Sequence, residues 1–248
     1  MGFFKMKQSL NRNENASGNA LFLILVAIAL IAALTIAVTR SDVSDSDATA
    51  PEQARIKAGN ILAQARNVEQ AVQTLITRGC SEQTINFDNP IVAGYTNPDA
   101  PADDSCDIFQ TAGAGLTWPE PIANANDGSD WMFLAGNAVG GVSMTDDGTC
   151  SSGCIDLIAV LPNVTEEVCQ QVNILAGITS SATTPPVDTG NFEATTLIAG
   201  VDPAPIGEEI LDAGNLLWGK RTGCFRPTNI DSAPASVSYW VYHVLLVR

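Results

Sequence analysis

The sequence predicts an α+β protein: an N-terminal transmembrane helix, then an amphipathic helix packed on an antiparallel β-sheet. Three observations carry this expectation. Ala20 to Val38 holds no charge and no proline, and Thr35 is its only polar side chain. Ile61, Ala65, Val68, Val72 and Leu75 recur at spacings of four, three, four and three, one stripe of a helix. Beyond residue 130, β-branched and aromatic runs such as "WMFLA", "IDLIAVLP" and "SVSYWVYHVLLVR" alternate with turn-rich segments. A long helix first and antiparallel strands later indicate an α+β domain.

The apolar run, read as a helix, spans about 28 Å, close to one hydrocarbon core. Secretory signal peptides carry shorter apolar regions of roughly 7–15 residues and a small-x-small cleavage site. "IAVTRSD" offers no such site, so a retained membrane helix over 19–40 is expected. Lys5, Lys7 and Arg12 precede it, whereas Asp42, Asp45 and Asp47 follow Arg40. Basic flanks stay on the cytoplasmic side. The expected layout is a cytoplasmic basic leader at 1–18, the membrane helix at 19–40, a polar linker at 41–51, and an exported domain at 52–248. That corresponds to a single-pass inner-membrane protein with its C-terminal domain in the periplasm or outside the cell. Ala29, Ala33 and Ala37 form an i, i+4, i+8 stripe of small residues, which lets membrane helices approach closely.

In the exported part, "SDVSDSDATA" before Pro51 is poor in helix formers and predicts a break. The stripe from Ile61 to Leu75 then forms the amphipathic helix, closed by Gly79. Residues 80–130 are dense in Asn, Asp, Pro and Gly and read as surface loops. Strands are expected at "WMFLA", "GGVSM" and "IDLIAVLP", with "TDDGT" as a hairpin turn around Gly148. Asn163 with Glu166 three residues on signals a helix start, and Val168, Val172 and Leu175 its buried face, up to Gly177. "TTPPVDTGN" reads as a loop, "FEATTLIAG" as a strand, and the C-terminal run as the last strand.

The 248 residues carry a formal charge of −15. The leader contributes +2, so a processed chain would carry −17. Such acidity argues against a nucleic-acid partner or an anionic headgroup bound through a basic face. All six cysteines lie on the exported side, where an even count reads as disulfides. Their spacing suggests Cys150–Cys154 across a hairpin, Cys80–Cys106 pinning the loop after the helix, and Cys169–Cys224 tying a helix to the region before the last strand. A zinc site at Cys150 and Cys154 lacks partners, because His243 is the only histidine.

No cofactor and no enzymatic activity are expected. Gly214 to Arg221 has phosphate-loop spacing, but Arg221 replaces the metal-binding hydroxyl and two leucines and a tryptophan fill the loop. "TAGAGLTW" lacks the closing glycine of a dinucleotide fingerprint. A serine or cysteine triad would depend on His243 alone, which alternates with Tyr239 and Val241 as a strand residue. Asp103–Asp104 and Glu208–Glu209 read as solvated loop acids. "NANDGSD" (124–130) offers oxygen donors around a glycine but neither EF-hand spacing nor its closing Glu, so no metal is assigned.

A short basic leader ending in Gly18, followed by a long apolar helix and then an amphipathic one, resembles the start of type IV prepilins and pseudopilins. The resemblance covers roughly the first eighty residues. It implies cleavage by a prepilin peptidase between Gly18 and Asn19, and helix-to-helix packing with other pilin-like subunits or envelope proteins. Two positions depart from the family pattern: Asn19 replaces the usual Phe or Met, and Leu23 occupies the place of the usual Glu at mature position five. The second departure points to a minor subunit of a type IV pilus or type II secretion apparatus. The alternative is a membrane-anchored domain that binds a protein or ligand without assembling.

Overall fold

The computed structural model describes residues 22, 24–31, 46–142, 155–194, 208–209, 216–231, 233–234 and 237–247. Two compact units divide at residue 50. In the first, residue 22 and residues 24–31 are helical (α1), and Phe22, Ile24, Leu25, Ile28, Leu30 and Ile31 are exposed. Helix α2, Ser46–Thr77, contains Pro51. The break expected before Pro51 is therefore absent over 46–50. Pro51 deprives the helix of one N–H near its start, where a single lost bond is tolerated more readily than in the interior.

Among the described residues, the second unit adds seven strands and a third helix. They are β1 (Met132–Ala138), β2 (Asp156–Val164), α3 (Glu166–Leu175), β3 (Val187–Phe192), β4 (Glu208–Glu209), β5 (Thr222–Ile230), β6 (Ala233–Pro234) and β7 (Tyr239–Leu246). The sheet runs in the order β3-β5-β7-β2-β1-β4, with β6 on β5. β2 pairs antiparallel with both β1 and β7, and β7 with β5, but β3 lies parallel to β5 and β4 parallel to β1.

This corrects the predicted fold class: the sheet is mixed, not antiparallel. No helix among the described residues is long and apolar enough to cross a membrane, and of the expected membrane helix at 19–40 only 22 and 24–31 are among them. The parallel pairings come from segments that read as loops. "VDTGNF" forms β3, although its sequence carries turn residues, and Glu208–Glu209 pairs with Asn137 and Ala138. "TGCFRPTNI" forms β5 despite Gly223 and Pro227. In each case tertiary pairing outweighs local propensity.

The sheet is buried on both faces, so successive strand residues enter two different cores. Leu157, Ala159 and Leu161 of β2 face α2 with Phe133, Val241 and Leu245. Ile158 and Val160 face the other way with Leu134, Phe192, Phe225, Trp240, Tyr242 and Val244. Two-sided burial explains why "IDLIAVLP" reads as a continuous apolar run rather than an alternation. The second face is enclosed because the sheet curls until β3 and β4, at its two ends, come into contact. Asn137 of β1 closes the seam: its Nδ2 donates to the Glu193 carbonyl (2.7 Å) and its Oδ1 accepts from the Glu193 amide (2.9 Å).

Helix α2 covers the outer face. Ala54, Ala58, Ile61, Leu62, Ala65, Val68, Val72 and Leu75 are all buried in the same core as the sheet. A ring cluster of Phe87, Tyr95, Phe109, Trp118 and Phe133 fills the space beside it, with centroids 5.0–6.3 Å apart. The Tyr95 hydroxyl accepts from the Phe133 amide at 3.0 Å, and burial pushes its pKa up to about 12.

Helix α3 starts two residues later than the Asn163 cap predicted. Thr165 is the N-cap, its hydroxyl accepting from the Val168 amide, because Thr165 holds the extended backbone a cap requires. Asn163 instead adopts a positive φ of 56°.

Candidate functional site

Of the residues singled out in the sequence, Gly18, Asn19, Ala33, Ala37, Cys150 and Cys154 lie outside the described residues, as does the "TDDGT" turn. Ala29 lies in α1 and is exposed. Cys80 is joined to Cys106 and Cys169 to Cys224 by disulfides. The first closes the loop after α2, a segment otherwise held by asparagine side chains. Asn97 donates to the carbonyls of Gln83 and Ile85, and Asn86 accepts from the amides of Asp88 and Asn97. The second disulfide fastens α3 to β5. Beside it, Asn173 accepts from the Cys224 amide (2.8 Å) and donates to its carbonyl (2.9 Å). At Cys224 the β3 partner has not yet begun, since Val187 pairs with Arg226. Asn173 thus stands in for a missing strand and pairs both backbone groups of Cys224.

Among the described residues, Glu69 gathers two ion-pair contacts on the seam between α2 and the sheet. Glu69 of α2 accepts from Arg221 through Oε1 (3.0 Å), and its Oε2 lies 2.9 Å from Nε2 of His243 on β7. Gln73, one turn on, donates to the Leu245 carbonyl. His243 is buried, and its Nδ1 has no hydrogen-bond partner among the described residues. Burial holds the imidazole pKa below its ordinary value; the Glu69 contact opposes this, and the positive charges of Arg221 and Arg66 reinforce it. One ring nitrogen is taken by Glu69 and the other is sealed in the interior. The geometry is that of an ionic fastening between helix and sheet. A nucleophile bonded to His243, which acid–base catalysis of the triad type needs, is absent among the described residues.

A cleft of about 460 Å³ opens where the 124–130 loop meets the corner between β2 and α3. Asp127, Asn163, Glu166, Ser238 and Tyr239 supply its polar groups. Asp127 accepts from the Ser129 amide (3.0 Å) and from Asn163 Nδ2 (3.0 Å), and its bonds from Ser129 hold the carboxyl below the usual range. Asn126 donates to the Ser129 and Pro162 carbonyls, and the Thr165 amide to Ala125. The Asn126 and Asp127 side chains are thus committed to folding the loop. No group of three or more His, Cys, Asp or Glu that would hold a metal ion occurs among the described residues.

The phosphate-loop look-alike falls on a turn at 216–219. Leu217 is buried in the inner core and the Gly219 amide donates to Gly140 at 2.8 Å. The asparagines at 97, 137 and 173 had no signal in the sequence, since nothing local distinguishes an asparagine that replaces a strand from one in a turn. The chain matches no family model, no curated protein and no solved structure.

Proposed function

We propose that the chain is a membrane-anchored structural subunit of pilin-like or pseudopilin-like type, of the minor class, in an envelope filament or secretion apparatus. One observation carries the reading: Gly18 and Asn19 stand directly before the uncharged run from Ala20 to Val38. A peptidase site there and an apolar rod behind it supply an anchor and an assembly surface. The rest of the molecule suits that work. A 32-residue helix leads into a head fastened by two disulfides, and the charged groups on the α2 seam hold elements together instead of facing a substrate. The mixed sheet departs from the antiparallel head first expected, and the reading does not depend on it. Its partners are other subunits or envelope proteins reached through the apolar run, with the N-terminus cytoplasmic and the head exported.

The test is the N-terminus of the membrane-extracted protein. Intact-mass measurement and N-terminal sequencing are expected to find Asn19 first; a chain that still begins at Met1 removes the main support.

The cleft at Asp127, Asn163 and Tyr239 favours a second reading, an anchored binding domain that does not assemble. Cysteines placed at 29, 33 and 37 separate the two by crosslinking in the membrane. Ordered multimers belong to a subunit, and a monomer to a simple anchor.

A further inference from the structure

Helix α2 has a second regular stripe, on the side opposite its buried one. Gln53, Ile56, Asn60, Ala63, Asn67, Gln70, Thr74 and Thr77 follow one another at alternating spacings of three and four, and all eight are exposed. None carries a charge. Alternating spacing of this kind places the residues on a single line along the helix, the arrangement through which a helix meets a partner. Ile56 keeps 57% of its surface exposed in the middle of this polar row.

The charge around the stripe is as uneven. Residues 51–78 hold four basic side chains (Arg55, Lys57, Arg66 and Arg78) against Glu52 and Glu69, whereas residues 79–248 hold 21 acidic against four basic. Lys57 donates to the Asn124 carbonyl and Arg78 to that of Gly113, so both are committed within the chain. Arg55 and Arg66 are exposed along one border of the stripe and form no ion pair among the described residues. The matching surplus lies on the loop between Cys80 and Cys106. There Asp99, Asp103 and Asp104 are exposed and pair with no cation among the described residues. The disulfide holds that loop in place.

We infer that the exposed face of α2 is a docking surface for a second copy of this chain, which presents its Asp99–Asp104 loop to Arg55 and Arg66. The argument is charge complementarity. Two heads this acidic repel wherever acidic surface meets acidic surface, and the α2 face is where an approaching acidic loop meets a row of uncharged residues, with Glu52 at its N-terminal end, bordered by the Arg55 and Arg66 guanidinium groups. Helix face and loop are different surfaces, so the contact is head-to-tail and can continue from copy to copy. This deepens the structural-subunit reading by giving the exported head its own contact, separate from the apolar run.

The test is a charge swap in the full chain, purified in detergent and followed by sedimentation velocity. Wild type is expected to self-associate at low salt and to lose roughly tenfold in affinity at high salt. Arg55→Glu with Arg66→Glu makes the helix border acidic, and Asp99→Lys with Asp103→Lys makes the loop basic. Each double variant alone is expected to sediment as a monomer. Mixed together they are expected to associate again, because the acidic helix of one meets the basic loop of the other. That rescue also shows that both variants are folded. The inference is overturned by wild-type protein that stays monomeric at low salt, by association that neither swap changes, or by a mixture that remains monomeric. Association unchanged by both swaps would assign self-contact to the apolar run and leave the subunit reading intact. An N-terminus that begins at Met1 would remove that reading without touching the outcome of the swap.

Discussion

The two cores on either side of the one sheet are built by different means. The outer one is layered: α2, α3 and the 80–131 segment lie over the strands, and two disulfides and the Glu69–His243 contact fasten the cover from outside. The inner one has no described helix over it. Its aromatic residues, Phe192, Phe225, Trp240 and Tyr242, stack at 5.2–5.9 Å within the hollow that the sheet makes by curling on itself. Tyr242 donates to the Lys220 carbonyl at 2.8 Å, and burial raises its pKa. The outer core is thus secured by covalent and hydrogen-bonded fastenings between elements. The inner core is secured by closure, which rests on the pairing of β4 with β1 and on Asn137. The same strands serve both, so damage to either side reaches the other through alternate residues of β2 and β7.

The largest effect that separates the two sides is expected from the disulfide between α3 and β5. It closes a loop of 55 residues, for which chain entropy gives about 4 kcal/mol. Cys169→Ala with Cys224→Ala removes it while Asn173 still holds the Cys224 position through its backbone. Chemical denaturation is expected to show a loss of that size. Amide exchange should accelerate most in α3 and the start of β5, and least in β2. Equal acceleration across the whole sheet would mean that the two cores open as one unit.

Asn137 tests the other side. Asn137→Ala removes two hydrogen bonds to the Glu193 backbone at a part-buried seam, a change that costs about 1–3 kcal/mol. Here exchange should accelerate in β3 and β1, on the two sides of the closure that Asn137 makes, with α3 protected as before. Asn137→Asp is the sharper variant. It keeps the acceptor for the Glu193 amide but faces the Glu193 carbonyl with a carboxylate oxygen, so it is expected to be no better than alanine at neutral pH. A fully stable Asn137→Asp protein would show that the closure does not depend on this side chain.

The outer core was legible because its rules are local. A stripe at helical spacing from Ile61 to Leu75 names the buried face of α2 without reference to anything else, and the apolar runs of β1, β2 and β7 stand out in the same way. Strands β3 and β5 were not legible. "VDTGNF" and "TGCFRPTNI" are written in turn residues; β5 extends against β7 and the Asn173 side chain, and β3 in turn extends against β5. Mixed pairing follows from that non-local fit, which periodicity does not encode. The seam cluster was half legible. His243 was placed correctly as a strand residue, but its carboxylate partner stands 174 positions away in sequence and carries no motif.

His243 gives the smallest effect and the cleanest readout, since the chain contains one histidine. Its folded-state pKa lies below the ordinary value of 6.5, chiefly because burial penalises the charged ring. The folded protein therefore binds its proton later than the unfolded chain does as pH falls. Between the unfolded value near 6.5 and the lower folded value, the unfolded state holds more protons, so this group lowers stability on acidification and has no such effect above pH 7. A single imidazole resonance should titrate with a midpoint below 6.5. In Glu69→Gln the opposing contact is weakened and the midpoint should fall further. In Arg66→Gln one of the two nearby positive charges is gone and the midpoint should rise. A midpoint above 6.5 in the wild type would mean that the Glu69 carboxylate outweighs burial. The fastening of α2 to β7 would then tighten in acid instead of loosening, and the outer core would gain stability as pH falls through 7.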